Sequence, residues 1–237
     1  MPKVEVCFTP DKFDYYFSGQ GIVVVIDVLR ATSAICAGLH HGVASFLPVE
    51  TIEEAQNLKD KGAIVAAERK GQIVEGFTLG NSPFGFMDPA LKGKEVVIST
   101  TNGTKAVKIA SVAKTVLIGS LINLEALVVF LSKQKEDVLL LGSGWNNKFN
   151  LEDTICAGAI AAGLRSSGFT FENDSTLSSI VLYEGAKEKP FSFLKASSHR
   201  RRLRNLNLNA DIKYCLTPNQ VDVIPILSEQ GRLVPMV

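Results

Sequence analysis

The sequence predicts an α/β fold: a mainly parallel sheet with flanking helices and late antiparallel strands. Short apolar runs alternate with helix-patterned segments through the first two thirds of the chain. Those runs are continuous rather than alternating, as strands buried on both faces are. Near the end, Asp211 to Leu216, Val223 to Leu227 and Leu233 to Met236 read as strands joined only by turns, which predicts antiparallel pairing. A chain of 237 residues suits a single domain over 1–237, or two similar intertwined half-domains with a boundary near 120–136.

Val4 to Phe8 opens the chain as a strand, and DKFDYYFSGQ follows as a polar–aromatic connector that could hold a short helix. The stretch Gly21 to Gly42 is the central unit. Ile22 to Ile26 is an apolar strand, Asp27 and Arg30 leave its carboxyl end, and a helix follows with Thr32 or Ser33 as N-cap. Ala44 to Val49 is the next strand. Thr51 then caps a helix that carries Glu53 and Glu54 in its first turn, where the helix dipole favours acids, and Gly62 stops it.

Ile64 to Ala67 is a strand that delivers Glu68 and Arg69. Gly71 to Pro89 is rich in Gly, Asn, Ser and Pro and reads as an irregular loop, of a length that is usually functional. Glu95 to Ser99 is a strand that runs into Thr-Thr-Asn-Gly-Thr and a helix. Thr115 to Ile118 and Asp137 to Leu141 are strands around a helix over Asn123 to Gln134. GSGWNNKFN is a loop before a small-residue helix over Leu151 to Leu164. Ser175 to Lys187 and Phe191 to Asn205 read as helices, the second carrying the basic run His199 to Arg204. Ile35 to Gly38 repeats as Ile155 to Gly158 (ICAG), which predicts two helices packed closely on the sheet. If the repeat reflects duplication, Asp27 and Asp153 face each other across one cleft.

The bulk numbers exclude some classes. A net charge of +1 argues against a general nucleic-acid binder. No apolar run reaches the roughly 18–20 residues of a membrane span. The start, MPKVEVCF, lacks a secretory h-region, so a cytoplasmic location is expected. Cys7, Cys36, Cys156 and Cys215 are scattered, which suits buried reduced thiols better than a zinc site. His40 and His41 read as capping or surface residues, the basic run as a solvated helix face or one that reaches into the site or across to a partner subunit, and Trp145 as either a packing anchor or a pocket wall.

Familiar signatures are absent. There is no G-x-x-x-x-G-K-[ST] and no G-x-S-x-G, and Asn147 stands where G-x-G-x-x-G needs its last glycine. What remains is a set of polar clusters at predicted strand ends: Asp27 with Arg30, Glu68 with Arg69, Thr100 to Thr104, Ser143, and Glu152 with Asp153. Ligands in open α/β sheets bind at such ends. Carboxylates suit Mg²⁺, a hard cation that prefers oxygen. Guanidinium forks suit phosphate and sulfonate oxygens. Thr101, Asn102, Gly103 and Thr104 would cradle an anion at a helix start, and Asn81 and Ser82 would add donors from the long loop. Gly103 would serve a turn with positive φ or a close approach to ligand. The chemistry implied is metal-assisted work on a small polyanion.

Taken in order, IDVLRATS, AAERKGQ with GFTLGNSP, STTNGTKA and EDTICAG resemble the 2-phosphosulfolactate phosphatase family, from about Ile26 to Gly163, with a looser likeness through Asp211 to Cys215. Thr78 stands within GFTLGN where an aspartate would be typical. The resemblance implies a Mg²⁺-dependent phosphatase that converts 2-phospho-3-sulfolactate to 3-sulfolactate and phosphate, a step of coenzyme M biosynthesis. Residue chemistry then assigns Asp27, Glu68 and Asp153 as magnesium ligands and Arg30 and Arg69 as anion binders. One of Asp27, Glu152 or Asp153 would orient or deprotonate the attacking water, or Asp27 would attack directly. A small anionic substrate and a homodimer are the expected partners, with no nucleic acid and no membrane. A non-catalytic binder of a small anionic metabolite, or a phosphatase of another phosphorylated carboxylate, are the rival readings.

Overall fold

Ile22 to Ile26 is buried along its whole length because its side chains alternate between two cores. Ile22, Val24 and Ile26 join one apolar cluster, while Val23 and Val25 join another. A strand sandwiched in this way has no polar face, which explains its unbroken apolar sequence. The computed structural model describes residues 1–236. Its strands are β1 (Val4–Cys7), β2 (Ile22–Ile26), β3 (Ser45–Pro48), β4 (Ile64–Arg69), β5 (Gln72–Ile73), β6 (Glu95–Ser99), β7 (Thr115–Gly119), β8 (Val138–Gly142), β9 (Pro225–Leu227) and β10 (Leu233–Pro235). Its helices are α1 (Phe13–Tyr16), α2 (Ala31–His40), α3 (Ile52–Asp60), α4 (Gly103–Ala110), α5 (Leu124–Leu131), α6 (Leu151–Ser166), α7 (Asp174–Ala186), α8 (Pro190–Phe193), α9 (Ser198–Asn205) and α10 (Asn209–Cys215).

The ten strands form one sheet in the order β1-β8-β2-β7-β9-β10-β3-β6-β4-β5. β1, β8, β2 and β7 are mutually parallel, as are β3, β6 and β4. The late strands β9 and β10 pair antiparallel with each other and join the two parallel blocks through antiparallel bridges to β7 and β3. The α/β class and the late antiparallel strands thus appear as the sequence predicts. Among the described residues, no helix is long and apolar enough to cross a membrane.

Two helices decide where a ligand can bind. α2, which follows β2, packs its buried residues into one core; α6, which follows the neighbouring β8, packs into the other. Adjacent parallel strands whose helices leave to opposite faces open a crevice at their carboxyl ends. Asp27 lies at that crevice. The close packing expected of α6 is also present: a Cβ on Gly158 would fall 1.9 Å from the Ser179 carbonyl oxygen of α7. The four cysteines are buried and unpaired.

Several local expectations are corrected. Asp211 to Leu216 is not a strand but the end of α10: Ile212, Cys215 and Leu216 are buried together, as helical spacing requires. The stretch from Phe191 to Asn205 is not one helix. A 3₁₀ turn over Leu194–Ala196 interrupts it, and Ser197 restarts it by accepting a hydrogen bond from the Arg200 amide at 3.2 Å. Neither Thr32 nor Ser33 caps α2, whose first residue is Ala31. The Thr32 hydroxyl accepts from the Asp27 amide at 3.1 Å, and the Ser33 hydroxyl donates to the Val28 carbonyl at 2.8 Å. Both hydroxyls tie the helix to the loop before it.

Candidate active site

A cavity of about 170 Å³ opens at the crevice, lined by residues that include Asp27, Arg30, Glu68, Lys70, Asn81, Thr101, Asn102, Trp145, His199 and Arg202. The loops after β2, β4, β6 and β8 all reach it, which the accumulated twist of so wide a sheet permits. α9 closes the remaining wall.

Asp27 sits on this floor, 7% exposed. Burial pushes its carboxyl up to about 6; His199 opposes that shift, while Glu68 and Glu152 add to it. Asp153 is held well above the usual aspartate range, again by burial first and then by Asp27 and Glu152. Four buried carboxyl groups therefore share one electrostatic neighbourhood. Asp153 spends Oδ1 on the Val28 amide at 2.9 Å and Oδ2 on the Asn150 amide at 3.4 Å. It fixes the loop that carries Asp27 from behind the cavity. Glu152 accepts or shares a proton with His199 Nδ1 at 2.5 Å, while its Oε2, fully buried, has no partner.

Glu68 holds the turn that follows β4: it accepts from the Gly71 amide and lies 3.4–3.5 Å from the Thr101 amide and hydroxyl. Asn81 is buried in the same wall with Oδ1 unpartnered. Gly103 does not adopt positive φ and lines no turn. It opens α4 against Asp27: a Cβ there would fall 2.7 Å from Ala31 Cβ and 2.9 Å from Asp27 Oδ2.

Other expected residues are placed elsewhere. Arg69 does not line the cavity; its guanidinium donates to the carbonyls of Glu68 and Glu50 and to the Ser99 hydroxyl. Thr104 turns its hydroxyl back to the Thr100 carbonyl, and its amide is taken by the Thr100 hydroxyl. The cradle is thus closed on its Thr104 side. Ser82 precedes the 3₁₀ turn Pro83–Met87 and is outside the lining. Arg30 lines the cavity, but Nη1 is paired with Asp211 Oδ2 at 2.6 Å and Nη2 donates to the Gly71 carbonyl at 2.8 Å.

The basic run is not simply a solvated face. Arg201 and Arg204 are exposed, but His199, Arg202 and Leu203 line the cavity. Their i, i+3, i+4 spacing was the available signal for one shared helix face. Trp145 is a cavity wall, with the Arg202 guanidinium 3.9 Å from its ring centroid. Asp211, His199 and Arg202 are the site residues that sequence reasoning missed.

The donor set suits a divalent cation only in a hydrated mode. Among the described residues, no three Asp, Glu, His or Cys side chains come close enough together to hold a metal ion, so Asp27, Glu68 and Asp153 form no ligand triad. Asp153, with both oxygens engaged, is also outside the cavity lining. Mg²⁺ keeps several waters and is commonly held by one or two carboxylates. Asp27 and Glu68, facing one cavity with an unpartnered Asn81 oxygen, fit that hydrated mode.

Comparison with known proteins identifies the family. The family model for 2-phosphosulpholactate phosphatase matches residues 7–230. A probable 2-phosphosulfolactate phosphatase of Cyanothece sp. is 36% identical over 98% of this chain and 99% of the relative. Proteins of the same name from Carboxydothermus hydrogenoformans and Thermotoga maritima are each 40% identical, over 98% and 86% of this chain and 96% and 88% of theirs. Its sequence, matched almost from end to end, assigns this chain to the 2-phosphosulpholactate phosphatase family.

Proposed function

We propose that this chain hydrolyses 2-phospho-3-sulfolactate to 3-sulfolactate and phosphate, with Mg²⁺ as its metal, as a cytoplasmic step of coenzyme M biosynthesis. The observation that supports this most directly is Asp27: a buried carboxyl raised to about 6, on the floor of a cavity walled by both acids and cations. The names of the relatives give the substrate class.

In the reaction, the oxygen of water forms a new P–O bond, the P–O bond to the lactate carbon's oxygen breaks, and that oxygen gains a proton. Asp27, on the cavity floor, would accept the water's proton through the carboxylate oxygen not given to the metal. Asp153 keeps Asp27 in place through the Val28 amide, and Glu152 orients His199 toward the same cavity. Thr101 and Asn102 supply polar contacts for the phosphoryl group. Mg²⁺, held by Asp27 and Glu68, would neutralise charge on the phosphoryl oxygens.

Phosphate release from 2-phosphosulfolactate, with Mg²⁺ and after chelation, tests the reading. Mg²⁺-dependent release supports it; tight binding with no release above a blank would instead favour a non-catalytic binder. A rapid acid quench during turnover of radiolabelled phosphosulfolactate separates direct attack by water, which leaves the protein unlabelled, from attack by Asp27, which leaves a phosphoryl group on the protein. The reading also takes the chain as a homodimer, which sedimentation equilibrium checks.

A further inference from the structure

We infer that Arg202 is the guanidinium that binds the substrate's sulfonate, a role that rests on the phosphatase reading above for the ligand's identity. The two arginines expected to do so are already committed. Arg30 is neutralised by Asp211, and Arg69 is spent on carbonyls outside the cavity. Arg202 has no acidic partner within salt-bridge distance among the described residues, and its Nη2 is fully buried with no acceptor. A buried charged donor without an acceptor is costly, so such a group points to a ligand that supplies one. Arg200 also has an unpartnered nitrogen, but it lies outside the cavity lining, stacked on Phe191 with its Nη1 donating to that residue's carbonyl.

Arg202 is also held in one orientation. Its guanidinium lies 3.9 Å from the Trp145 ring centroid, which fixes the plane of the fork before an anion arrives. Burial pulls its pKa down, with Glu152 opposing that change, so the guanidinium has lost solvation that a bound anion would replace.

Its place on the wall selects which end of the substrate it meets. Asp27, Thr101 and Asn102 come from the loops after strands and Glu68 from the end of β4, where the phosphoryl group must sit for chemistry at Asp27. Arg202 comes from α9 and lines a second cavity of about 700 Å³ as well, together with Trp145, Lys12 and Lys148. It therefore addresses the part of the ligand that points away from the reacting phosphorus. A sulfonate, with its negative charge spread over several oxygens, suits a two-pronged donor.

The test uses the chain's only tryptophan, Trp145, as the reporter. Full-length wild type, Arg202→Met and Arg202→Lys are titrated with 3-sulfolactate and with lactate, which keeps the carboxylate but lacks the sulfonate. Circular dichroism checks that each variant is folded, and Arg202→Lys decides if Arg202→Met is not. Wild type is expected to bind sulfolactate saturably and much more tightly than lactate. Arg202→Met should weaken sulfolactate binding about tenfold or more, and Arg202→Lys by less, because a point charge replaces a fork. Equal binding by wild type and folded variants, or no preference of wild type for sulfolactate over lactate, overturns the inference. Selective sulfolactate binding without phosphate release would sink the phosphatase reading alone. Phosphosulfolactate hydrolysis with an unchanged KM in the variants would sink the Arg202 role alone.

Discussion

Arg30 meets Asp211 at 2.6 Å across 181 residues of sequence, with the two side chains only 5% and 8% exposed. The pair pins the loop after β2, which carries Asp27, to the last helix, α10. It also changes what a substitution at Arg30 means. Arg30→Ala would leave a buried aspartate unpaired, a loss of roughly 3–5 kcal/mol. Denaturant unfolding is expected to show that loss, larger than any effect on substrate binding measured in the folded fraction. Replacing both residues with apolar ones of similar size should recover much of it. A fully stable Arg30→Ala protein would show that the pair carries little.

Asp27→Asn is expected to cut turnover by roughly 10²-fold or more while the fold persists. Near-wild-type turnover would remove Asp27 from the centre of the mechanism. The same variant bears on stability. The folded Asp27 titrates near 6, above an unfolded aspartate at about 3.9. Its contribution is therefore full below about pH 4 and is lost as pH rises through about 6. Without added Mg²⁺, thermal melts from pH 4 to 7 should show a stability decline in wild type that is shallower in Asp27→Asn. Identical slopes would contradict the assignment.

His199→Ala removes the one hydrogen-bond partner that Glu152, 1% exposed, has among the described residues. The expected cost is about 1–3 kcal/mol at neutral pH, read from the unfolding midpoint, with partial recovery on adding Glu152→Gln. Because His199 opposes the upward shift at Asp27, its removal should move the Asp27 titration higher. Carboxyl NMR of labelled aspartate can follow this directly; a lower value would mean that the histidine is not acting on Asp27.

Gly103→Ala places a methyl group against Ala31 and the Asp27 carboxylate. Overpacking of this kind costs about 1–3 kcal/mol, and here it also displaces Asp27. Activity should fall more steeply than stability. Thr104→Val is the contrasting variant: it loses a hydrogen bond of about 1 kcal/mol to Thr100 but leaves the cavity wall intact, so turnover should stay near wild type.

The alternating apolar runs of the sequence by itself determined the α/β class and the strand ends where polar residues emerge. Local spacing carries that information, because a strand buried on both faces has no polar side to show. The strand ends do not by themselves bring Asp27 together with Glu68, Thr101 and Asn102, because three antiparallel pairings make the two parallel blocks run in opposite directions. What only the tertiary structure decided is how each charge is spent. Arg30 and Arg69 look equivalent as letters, yet one is neutralised by Asp211 and the other donates to carbonyls. The run His199 to Arg204 looks uniformly basic, yet only the face with His199 and Arg202 turns inward. Asp211 reads as part of an apolar strand until α10 brings it to Arg30 in the loop after β2. A side chain's charge is local, but whether it is free to meet a ligand depends on partners brought from more than a hundred residues away.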